Sequence, residues 1–230
     1  MPLTISDRVD EGPIPYRDAW QQQKELVARR QRGEGEDTLI LLTHPPTVTF
    51  GKAADRSNLL LTFEEYRARG IEPVETDRGG DVTYHGPGQL VGYPILHLGE
   101  GRRDLHRYIR FLEAVLIGSV EDLGVRGAGR ADFHAGVWVG DGYLAALGVR
   151  VSRWVTHHGF ALNVTEEVRR DFETIVPCGV SGKRIATLEE WMGRPVSVRE
   201  TADTLIRRFR SDYDRAVAGE AGPNTASASR

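Results

Sequence analysis

The order of helical and strand-like patterns along the chain is the feature that most limits its fold. These patterns follow one another without the regular alternation that a doubly wound α/β fold requires. An Asp-Gly pair at 141–142 lies between two apolar runs, which predicts a β-hairpin. Apolar residues recur at helical spacing over 16–32 and 103–123, and short apolar runs at 38–43 and 160–164 are typical of strands. The pattern therefore predicts an α+β domain with mixed sheets and flanking helices.

Composition and charge narrow the class of protein. The 230 residues include 30 basic and 33 acidic side chains, a formal net charge of −3, which argues against bulk electrostatic binding to nucleic acid or to an anionic membrane. No stretch approaches the roughly 18 apolar residues of a membrane span, and the N-terminus lacks the apolar core of a secretory signal. We expect a cytoplasmic protein with one domain over residues 8–216 and a disordered tail over residues 217–230.

Glycine and polar residues are most densely combined in the run RGGDVTYHGPGQ at 78–89. Four glycines and a proline in twelve residues give a backbone that can approach a ligand closely. A long solvated hairpin turn is the alternative interpretation, but such a turn needs no combination of arginine, tyrosine, histidine and glutamine. The spacing fits neither a dinucleotide-binding fingerprint nor a phosphate-binding loop. The run is therefore a candidate binding segment for a ligand of another class.

A second candidate segment contains two adjacent histidines, His157 and His158. Neighbouring side chains in a strand point to opposite faces, so the pair is not expected to act together. No further ligands follow at zinc-like spacing, and no metal is expected. One histidine of the pair is a candidate for acid–base chemistry, because histidine titrates near neutral pH.

The third candidate segment carries the only cysteine of the chain, Cys178, between Pro177 and Gly179. A single cysteine excludes an intramolecular disulfide and any multi-cysteine zinc site. A lone cysteine is most often a small buried apolar residue, whereas a turn cysteine near a cation such as Lys183 ionises and reacts. The segment leaves packing and nucleophilic chemistry about equally favoured. No G-x-S-x-G sequence surrounds Ser181, so a serine hydrolase is not predicted.

Together these segments resemble the lipoyl(octanoyl) transferases, which pass octanoyl groups from acyl carrier protein to lipoyl domains. The resemblance covers most of the chain, and the long glycine-rich run is its most specific part. The matching segments, in order, are Thr43-His44-Pro45-Pro46, Thr49-Phe50-Gly51, RGGDVTYHGPGQ with Leu90-Val91, Gly136-Val137-Trp138-Val139, Ala145-Ala146-Leu147-Gly148-Val149-Arg150, His158-Gly159-Phe160-Ala161-Leu162-Asn163-Val164 and Pro177-Cys178-Gly179.

The resemblance implies a fold and an activity. The fold is the biotin/lipoate protein ligase catalytic domain, which agrees with the α+β pattern. The activity is that of an octanoyl-[acyl-carrier-protein]:protein N-octanoyltransferase, an acyltransferase of lipoate biosynthesis and protein lipoylation. The implied partners are octanoyl-acyl carrier protein as donor, and lipoyl domains of 2-oxoacid dehydrogenase E2 subunits and the glycine cleavage H protein as acceptors. No cofactor is implied, because the thioester arrives already activated.

The resemblance also assigns roles to residues of this sequence. It makes Cys178 the nucleophile that carries octanoyl as a thioester. Independently of the resemblance, His158 is the histidine of the pair that we expect to be catalytic, because histidine titrates near neutral pH. It places the acyl-binding cleft at three segments: Arg78, Gly79, Gly80, Asp81, Val82, Thr83, Tyr84 and His85; Ala146, Leu147 and Gly148; and Gly159, Phe160 and Ala161. The notable departure is Tyr143, because the family has there a lysine that lowers the pKa of the cysteine. A neutral phenol, with a reference pKa of about 10, supplies no such positive charge.

Two other functions compete with the transferase. An ATP-dependent lipoate or biotin protein ligase shares the fold, but it needs a lysine for its acyl-adenylate and lacks the HGPGQ continuation. A catalytically impaired homologue that binds acyl chains or carrier proteins without transferring the acyl group is the other, and Tyr143 is the feature that favours it.

Overall fold

The computed structural model describes residues 2–131, 134–176 and 184–218. Over these ranges the chain forms two β-sheets flanked by α-helices, so the predicted α+β class is confirmed. The strands are β1 (Leu3–Asp7), β2 (Asp37–Leu42), β3 (Thr47–Phe50), β4 (Glu72–Glu75), β5 (Val82–His85), β6 (Gln89–Ile95), β7 (Ala128–Ala131), β8 (His134–Val139), β9 (Gly142–Ser152), β10 (Val155–Asn163) and β11 (Arg184–Ile185). The helices are α1 (Tyr16–Gln31), α2 (Phe63–Ala68), α3 (Leu105–Asp122), α4 (Arg169–Phe172), α5 (Leu188–Met192) and α6 (Val198–Ala218).

The larger sheet contains eight strands among the described residues. Its order is β1-β2-β6-β10-β9-β8-β7, with β11 added beside β9. The pairs β1-β2 and β9-β11 are parallel, and the other neighbours are antiparallel. The predicted hairpin forms from β8 and β9, where Val139 pairs with Gly142.

The smaller sheet has the order β4-β3-β5 in the part of the chain described here, with β3 parallel to β4 and antiparallel to β5. Helices α2 and α4 cover it, and Tyr66 and Phe172 pack with Val48 and Val82 in one apolar cluster. Helix α2 begins at a capping box, in which the Thr62 hydroxyl accepts the amide proton three residues on and a glutamate side chain reaches back.

Helices cover both faces of the larger sheet, and the alternation of strand side chains determines which face each residue joins. Leu39 and Leu41 of β2 belong to the main core with α3 and α6. Ile40 and Leu42 point the other way and pack against α1, together with Ala161 of β10. The face under α1 is the one that carries the candidate site.

Most predicted elements lie within a few residues of their predicted positions, but the domain limits need correction. Residues 3–7 form β1, which pairs with β2 in the larger sheet, so the folded part begins before the predicted residue 8. Helix α6 continues to residue 218, past the predicted limit of 216, because its apolar face remains packed on the core. The rest of the predicted tail, 219–230, lies outside the described residues.

Among the helices of the described residues, none combines the length and the apolar character that crossing a membrane requires.

Candidate active site

A cleft of about 450 Å³, including its open mouth, lies between the two sheets beneath the start of α1. Residues from both sheets and from α1 form its wall, and three of them are histidines. The lining residues are Tyr16, Arg78, Gly80, Thr83, His85, Tyr93, His134, Ala146, Leu147, Gly148, His158, Gly159, Phe160 and Ala161.

Strand β5 divides the first predicted segment between two environments. Thr83 and His85 face the cleft, whereas Val82 and Tyr84 point into the apolar cluster of the smaller sheet. The Tyr84 hydroxyl donates to Asp171 at 2.9 Å. Asp81 also faces away, because its carboxylate accepts hydrogen bonds from the Asp55 amide at 2.9 Å and from the Asn58 side chain. Four of the eight predicted residues therefore line the cleft, namely Arg78, Gly80, Thr83 and His85.

The other two predicted segments both lie fully in the cleft wall, because β9 and β10 are neighbouring strands. Gly148 pairs with Gly159, and Ala146 pairs with Ala161. Gly159 has no room for a side chain, since a Cβ atom there would lie 2.1 Å from the Gly92 carbonyl oxygen. This close approach keeps β10 against β6 and makes the wall smooth and apolar at that point.

Arg78 is buried at the end of the cleft and connects β3 to the loop that precedes β5. Its guanidinium donates to the Thr49 hydroxyl at 3.0 Å and the Thr49 carbonyl at 2.7 Å, and to the carbonyl of Asp81 at 2.6 Å. A buried guanidinium N–H group without an acceptor costs free energy, so these hydrogen bonds stabilise the conformation of the glycine-rich segment.

His158 is buried, and the residues around it engage both of its ring nitrogens. Its Nε2 donates to an Asp77 oxygen at 2.7 Å, and its Nδ1 lies 3.4 Å from the Tyr16 hydroxyl. A carboxylate can only accept, so the proton of the neutral ring is on Nε2 and Tyr16 donates to Nδ1. The other Asp77 oxygen accepts from Arg150 at 2.6 Å.

The expectation that His157 and His158 point to opposite faces is wrong. Their ring centroids are 5.0 Å apart, and both rings approach Asp77. The reason is the backbone of His158, whose φ of 54° lies in the left-handed region and turns the side chain. Buried Gln23 of α1 stabilises this conformation, because its side-chain oxygen accepts the His158 amide proton at 2.8 Å.

Asp77, His157 and His158 bring three possible metal ligands within 4.8 Å of one another. Arg150 already donates to Asp77, and a guanidinium at 2.6 Å repels a divalent cation from the same carboxylate. The donor set thus fits a hydrogen-bonded network better than a metal, and the expectation of no metal stays a prediction.

His85 is oriented by a different set of residues. Its Nδ1 lies 2.8 Å from the Gln89 side-chain oxygen, and the Gln89 amide nitrogen donates to Asn163 at 3.0 Å. The Asn163 amide in turn donates to the backbone oxygen of Tyr143 at 3.4 Å. Because Gln89 uses its nitrogen as a donor, its oxygen must accept, and the proton of His85 is on Nδ1. Gly88, with φ of 81°, lets the chain cross from β5 to β6 so that the two side chains meet.

Burial lowers the pKa of each cleft histidine. The pKa of His85 is well below its usual value, and burial also lowers the pKa values of His158 and His134. Burial lowers the pKa of His44, next to the cleft, to about 4. By contrast, the hydrogen bond from His158, aided by the charge of Arg150, holds the pKa of Asp77 below its usual range. Neutral imidazoles and an ionised Asp77 are therefore the resting state at neutral pH.

Tyr143 lies beside the cleft residue His134, against β8. Its ring centroid is 4.6 Å from that of Trp138 and 5.6 Å from that of His134, and its hydroxyl donates to the Ala135 carbonyl at 3.2 Å. Its backbone oxygen accepts from the Ala186 amide at 3.0 Å. Tyr143, where the resemblance implies a lysine in the family, is thus beside β11, the strand that follows the cysteine segment.

Cys178 and Lys183 lie outside the described residues. The described ends of that segment are both anchored. The Val176 amide donates to the Asn58 carbonyl at 2.8 Å, and Ile185 pairs with Tyr143.

Sequence reasoning missed Asp77, Tyr16 and Gln23, which hold His158. Asp77 directly precedes the glycine-rich run, and an acidic residue next to such a run is a usable signal. Gln23 interrupts the buried stripe of α1, and a polar residue on an apolar helix face calls for a partner. Gln89 and Asn163 stand within the recognised motifs but were given no role.

Comparisons with known proteins agree with this fold. The family model described as the lipoyl protein ligase A/B catalytic domain matches residues 15–210. An octanoyltransferase from Geobacter sulfurreducens is 47% identical over 201 residues, which are 87% of this chain and 82% of that protein. A bi-partite lipoate protein ligase from Thermoplasma acidophilum superposes with a TM-score of 0.69 at 16% identity, over 92% of this chain and 83% of that one. A biotin protein ligase from Aquifex aeolicus, in complex with biotin and ATP, gives a TM-score of 0.56 at 11% identity, over 95% and 72% of the two chains.

Proposed function

Because the chain belongs to the octanoyltransferases of the lipoyl protein ligase A/B catalytic-domain family, we propose that it transfers octanoyl in two steps through a thioester on Cys178. In the first step the Cys178 sulfur attacks the thioester of octanoyl-acyl carrier protein and releases the carrier thiol. In the second step a lysine of a lipoyl domain attacks the octanoyl-cysteine and forms an amide. The acceptors in this proposal are the lipoyl domains of 2-oxoacid dehydrogenase E2 subunits and of the glycine cleavage H protein.

The energetics of the two steps suit a protein without a nucleotide. Exchange of an acyl group between two thiols is nearly isoenergetic, and aminolysis of a thioester is downhill. Dividing the transfer in this way replaces one difficult barrier with two lower ones. The compartment that fits a free thiol nucleophile is the reducing cytoplasm.

The observation that carries the proposal is the cleft between the two sheets. Its central wall includes Ala146 and Ala161 between Gly148 and Gly159, which offer a smooth apolar surface to an acyl chain, while the Leu147 and Phe160 side chains pack into the main core behind it. The polar groups of the cleft wall are the guanidinium of Arg78 and the rings of the cleft histidines. The segment that contains Cys178 leaves and re-enters the described chain at Val176 and Arg184, and the latter end lies beside Tyr143.

Tyr143 supports a second candidate, an acyl-binding homologue that does not turn over. In this chain a phenol stands where the family has a lysine, so that position supplies no fixed positive charge to lower the pKa of Cys178. Free cysteine has a pKa of about 8.5, so only a few per cent is thiolate at neutral pH without help.

Intact-mass spectrometry after mixing with octanoyl-acyl carrier protein tests the proposal. Wild type should gain one octanoyl group that hydroxylamine removes, and Cys178→Ala should gain none and lose transfer. Full activity of Cys178→Ala would refute the covalent route. Absence of any adduct and of any transfer with wild type would favour the acyl-binding homologue, and consumption of ATP with free octanoate would indicate a ligase.

A further inference from the structure

Three histidines line the cleft, and they differ in how the protein uses their ring nitrogens. His158 has both nitrogens engaged, by Asp77 and Tyr16. His134 has a buried Nε2 without a hydrogen-bond partner among the described residues. His85 donates from Nδ1 to Gln89. Its Nε2 has no hydrogen-bond partner in the described part of the chain, and unlike the Nε2 of His134 it is not fully buried.

These differences bear on which ring can move a proton. A general base needs a lone pair that reaches the reacting group, and it needs a second group that fixes its orientation. The lone pair of His158 is on Nδ1 and already accepts the hydrogen bond from Tyr16, so it is not free for a substrate. The Nε2 of His134 has no hydrogen bond that would fix the orientation of that ring. His85 meets both requirements, since the bond at Nδ1 puts the lone pair on Nε2 and the ring is part of the cleft wall.

We propose that His85 is the general base and acid of amide formation, and that Gln89 and Asn163 are its positioning residues. The inference rests on the proposed route through octanoyl-Cys178. The acceptor lysine first loses one proton to solvent. Its neutral amine then attacks the thioester carbon, and one N–H proton passes to His85 Nε2 as the C–N bond forms. The C–S bond breaks, and the same proton passes from Nε2 to the Cys178 sulfur, so that the products are the amide and the thiol.

The proton shuttle is needed in this step more than in loading of the cysteine. The thiol of a cysteine, with a pKa of about 8.5, can lose its proton to solvent before it attacks, whereas a neutral amine must lose a further proton as the C–N bond forms. Burial keeps His85 neutral at physiological pH, so its lone pair is available without prior deprotonation. Tyr16 stacks on the ring with a centroid distance of 5.7 Å and an interplanar angle of 19°, which restricts its rotation.

The test uses a variant that preserves the orienting bond. In His85→Asn the amide nitrogen takes the place of Nδ1 and can still donate to Gln89, but Nε2 is gone. We expect octanoyl loading of Cys178, followed by intact mass, to stay within a few-fold of wild type. Transfer from the isolated octanoyl-enzyme to a lipoyl domain should fall about 10²–10⁴-fold, the usual contribution of a general base. Added imidazoles should restore transfer, with rates that rise with the pKa of the imidazole, which a structural role would not produce.

Matched variants keep the test decisive. His158→Gln retains a donor to Asp77 and should slow both half-reactions to the same extent, and His106→Asn at an exposed position is the surface control. Asn163→Asp retains the oxygen that accepts from Gln89 and adds a negative charge near His85. This charge should raise the pKa of His85, so the decline of the transfer rate in acid should begin at higher pH. The variant tests the inference even if His85→Asn folds poorly.

Each alternative result overturns the inference. Equal losses in both half-reactions of His85→Asn, with no rescue by imidazole, would mean that His85 only positions substrate. A selective, rescuable loss in a His134→Asn variant instead would assign the base to His134. If wild type forms no octanoyl-Cys178, the proposed route fails together with the inference; if it forms the adduct and His85→Asn transfers like wild type, the inference alone fails.

Discussion

His85 on the smaller sheet and His158 on the larger sheet line the same cleft, and Tyr16 contacts both of them. Both rings are buried, and burial lowers the pKa of each. They differ in their partners. His158 is held between an ionised Asp77 and a tyrosine hydroxyl, whereas His85 is held on one side by a neutral amide.

This difference shows that burial and pKa direction do not identify a catalytic histidine by themselves. Two rings with the same protonation state can have opposite capacities for proton transfer, because the hydrogen-bond partners decide where the lone pair is. The sequence offers little to separate them, since both histidines precede a glycine within a recognised motif. The predictions below test the two environments, beginning with the largest expected effect.

The largest effect should be a loss of stability at low pH, because the folded protein keeps the histidines on both sides of the cleft neutral. Burial lowers the pKa of His44 to about 4 from a usual value of about 6.5. The unfolded chain therefore takes up a proton before the folded protein does, and stability that is complete above pH 6.5 is lost as the pH falls toward 4. The shift corresponds to about 3 kcal/mol for His44 alone. Urea unfolding between pH 7 and 4.5 measures it.

A variant separates this contribution from general acid effects. His44→Asn can keep the donor to the Ile14 carbonyl, which lies 2.6 Å from Nδ1, but it cannot titrate. It should be less stable than wild type at pH 7 and show a flatter decline with acid. Exposed His106→Asn is the control, and an unchanged slope in His44→Asn would contradict the prediction.

The next effect concerns Asp77, which distinguishes the His158 side from the His85 side. Its carboxylate accepts from His158 and from Arg150, and hydrogen bonds to charged groups contribute about 1.5–3 kcal/mol each in buried sites. Because the Asp77 side chain is about one third exposed, Asp77→Asn should lower the free energy of unfolding by an amount near the lower end of that range. Urea unfolding measures the loss.

Kinetics give the complementary result for Asp77→Asn. The two half-reactions should slow together, because Asp77 orients His158 and His158 lines the cleft that both half-reactions use. A change confined to the pH dependence of transfer would instead give His158 a proton-transfer role and remove the distinction from His85.

Tyr16→Phe should have a smaller effect. It removes the donor to Nδ1 of His158 but keeps the ring that stacks on His85. A 3.4 Å hydrogen bond between neutral groups is worth about 0.5–1 kcal/mol. Combined with Asp77→Asn in a double-mutant cycle, it should show non-additive losses, since both act on one imidazole. Strictly additive unfolding free energies would mean that His158 is not held by the two residues jointly.

Local patterns made most of the fold predictable. The apolar spacing of α3 and its stop at Gly124 follow from single-helix rules, and the hairpin of β8 and β9 follows from one Asp-Gly pair. The first strand was missed because residues 3–7 carry a short, half-polar pattern that acquires its meaning only by pairing with β2. Pairing between distant segments leaves no local signal.

The sequence predicts which segments of the chain form the candidate site, but it does not predict the hydrogen bonds between their side chains. The sequence predicts the cleft segments 78–85, 146–148 and 159–161, and the structure brings residues of all three to one cleft. The strand periodicity of 82–85 could have separated Thr83 and His85 from their neighbours. The approach of Asp77 to His158 could not have been inferred, because it depends on the positive φ of His158 and on Gln23 from a helix more than a hundred residues away in the sequence.

The smallest effect on the two histidines should come from Tyr143, although the resemblance implies a lysine at this position in the family. The relay to His85 ends on the backbone oxygen of Tyr143, so a new side chain leaves that acceptor in place. Tyr143→Phe loses the hydroxyl bond to Ala135, worth about 1 kcal/mol or less, and should keep the pH dependence of transfer. Tyr143→Lys adds a positive charge beside the cleft and should lower the pKa of Cys178 measured by alkylation. The ammonium would be partly buried beside Trp138 and His134, so we expect less than one unit, or about 1 kcal/mol. The rate of loading should rise by less than the thiolate fraction, because nucleophilicity falls with basicity. If Tyr143→Lys instead alters the pH dependence of transfer while leaving alkylation unchanged, the side chain acts on His85, and the two sides of the cleft are not independent.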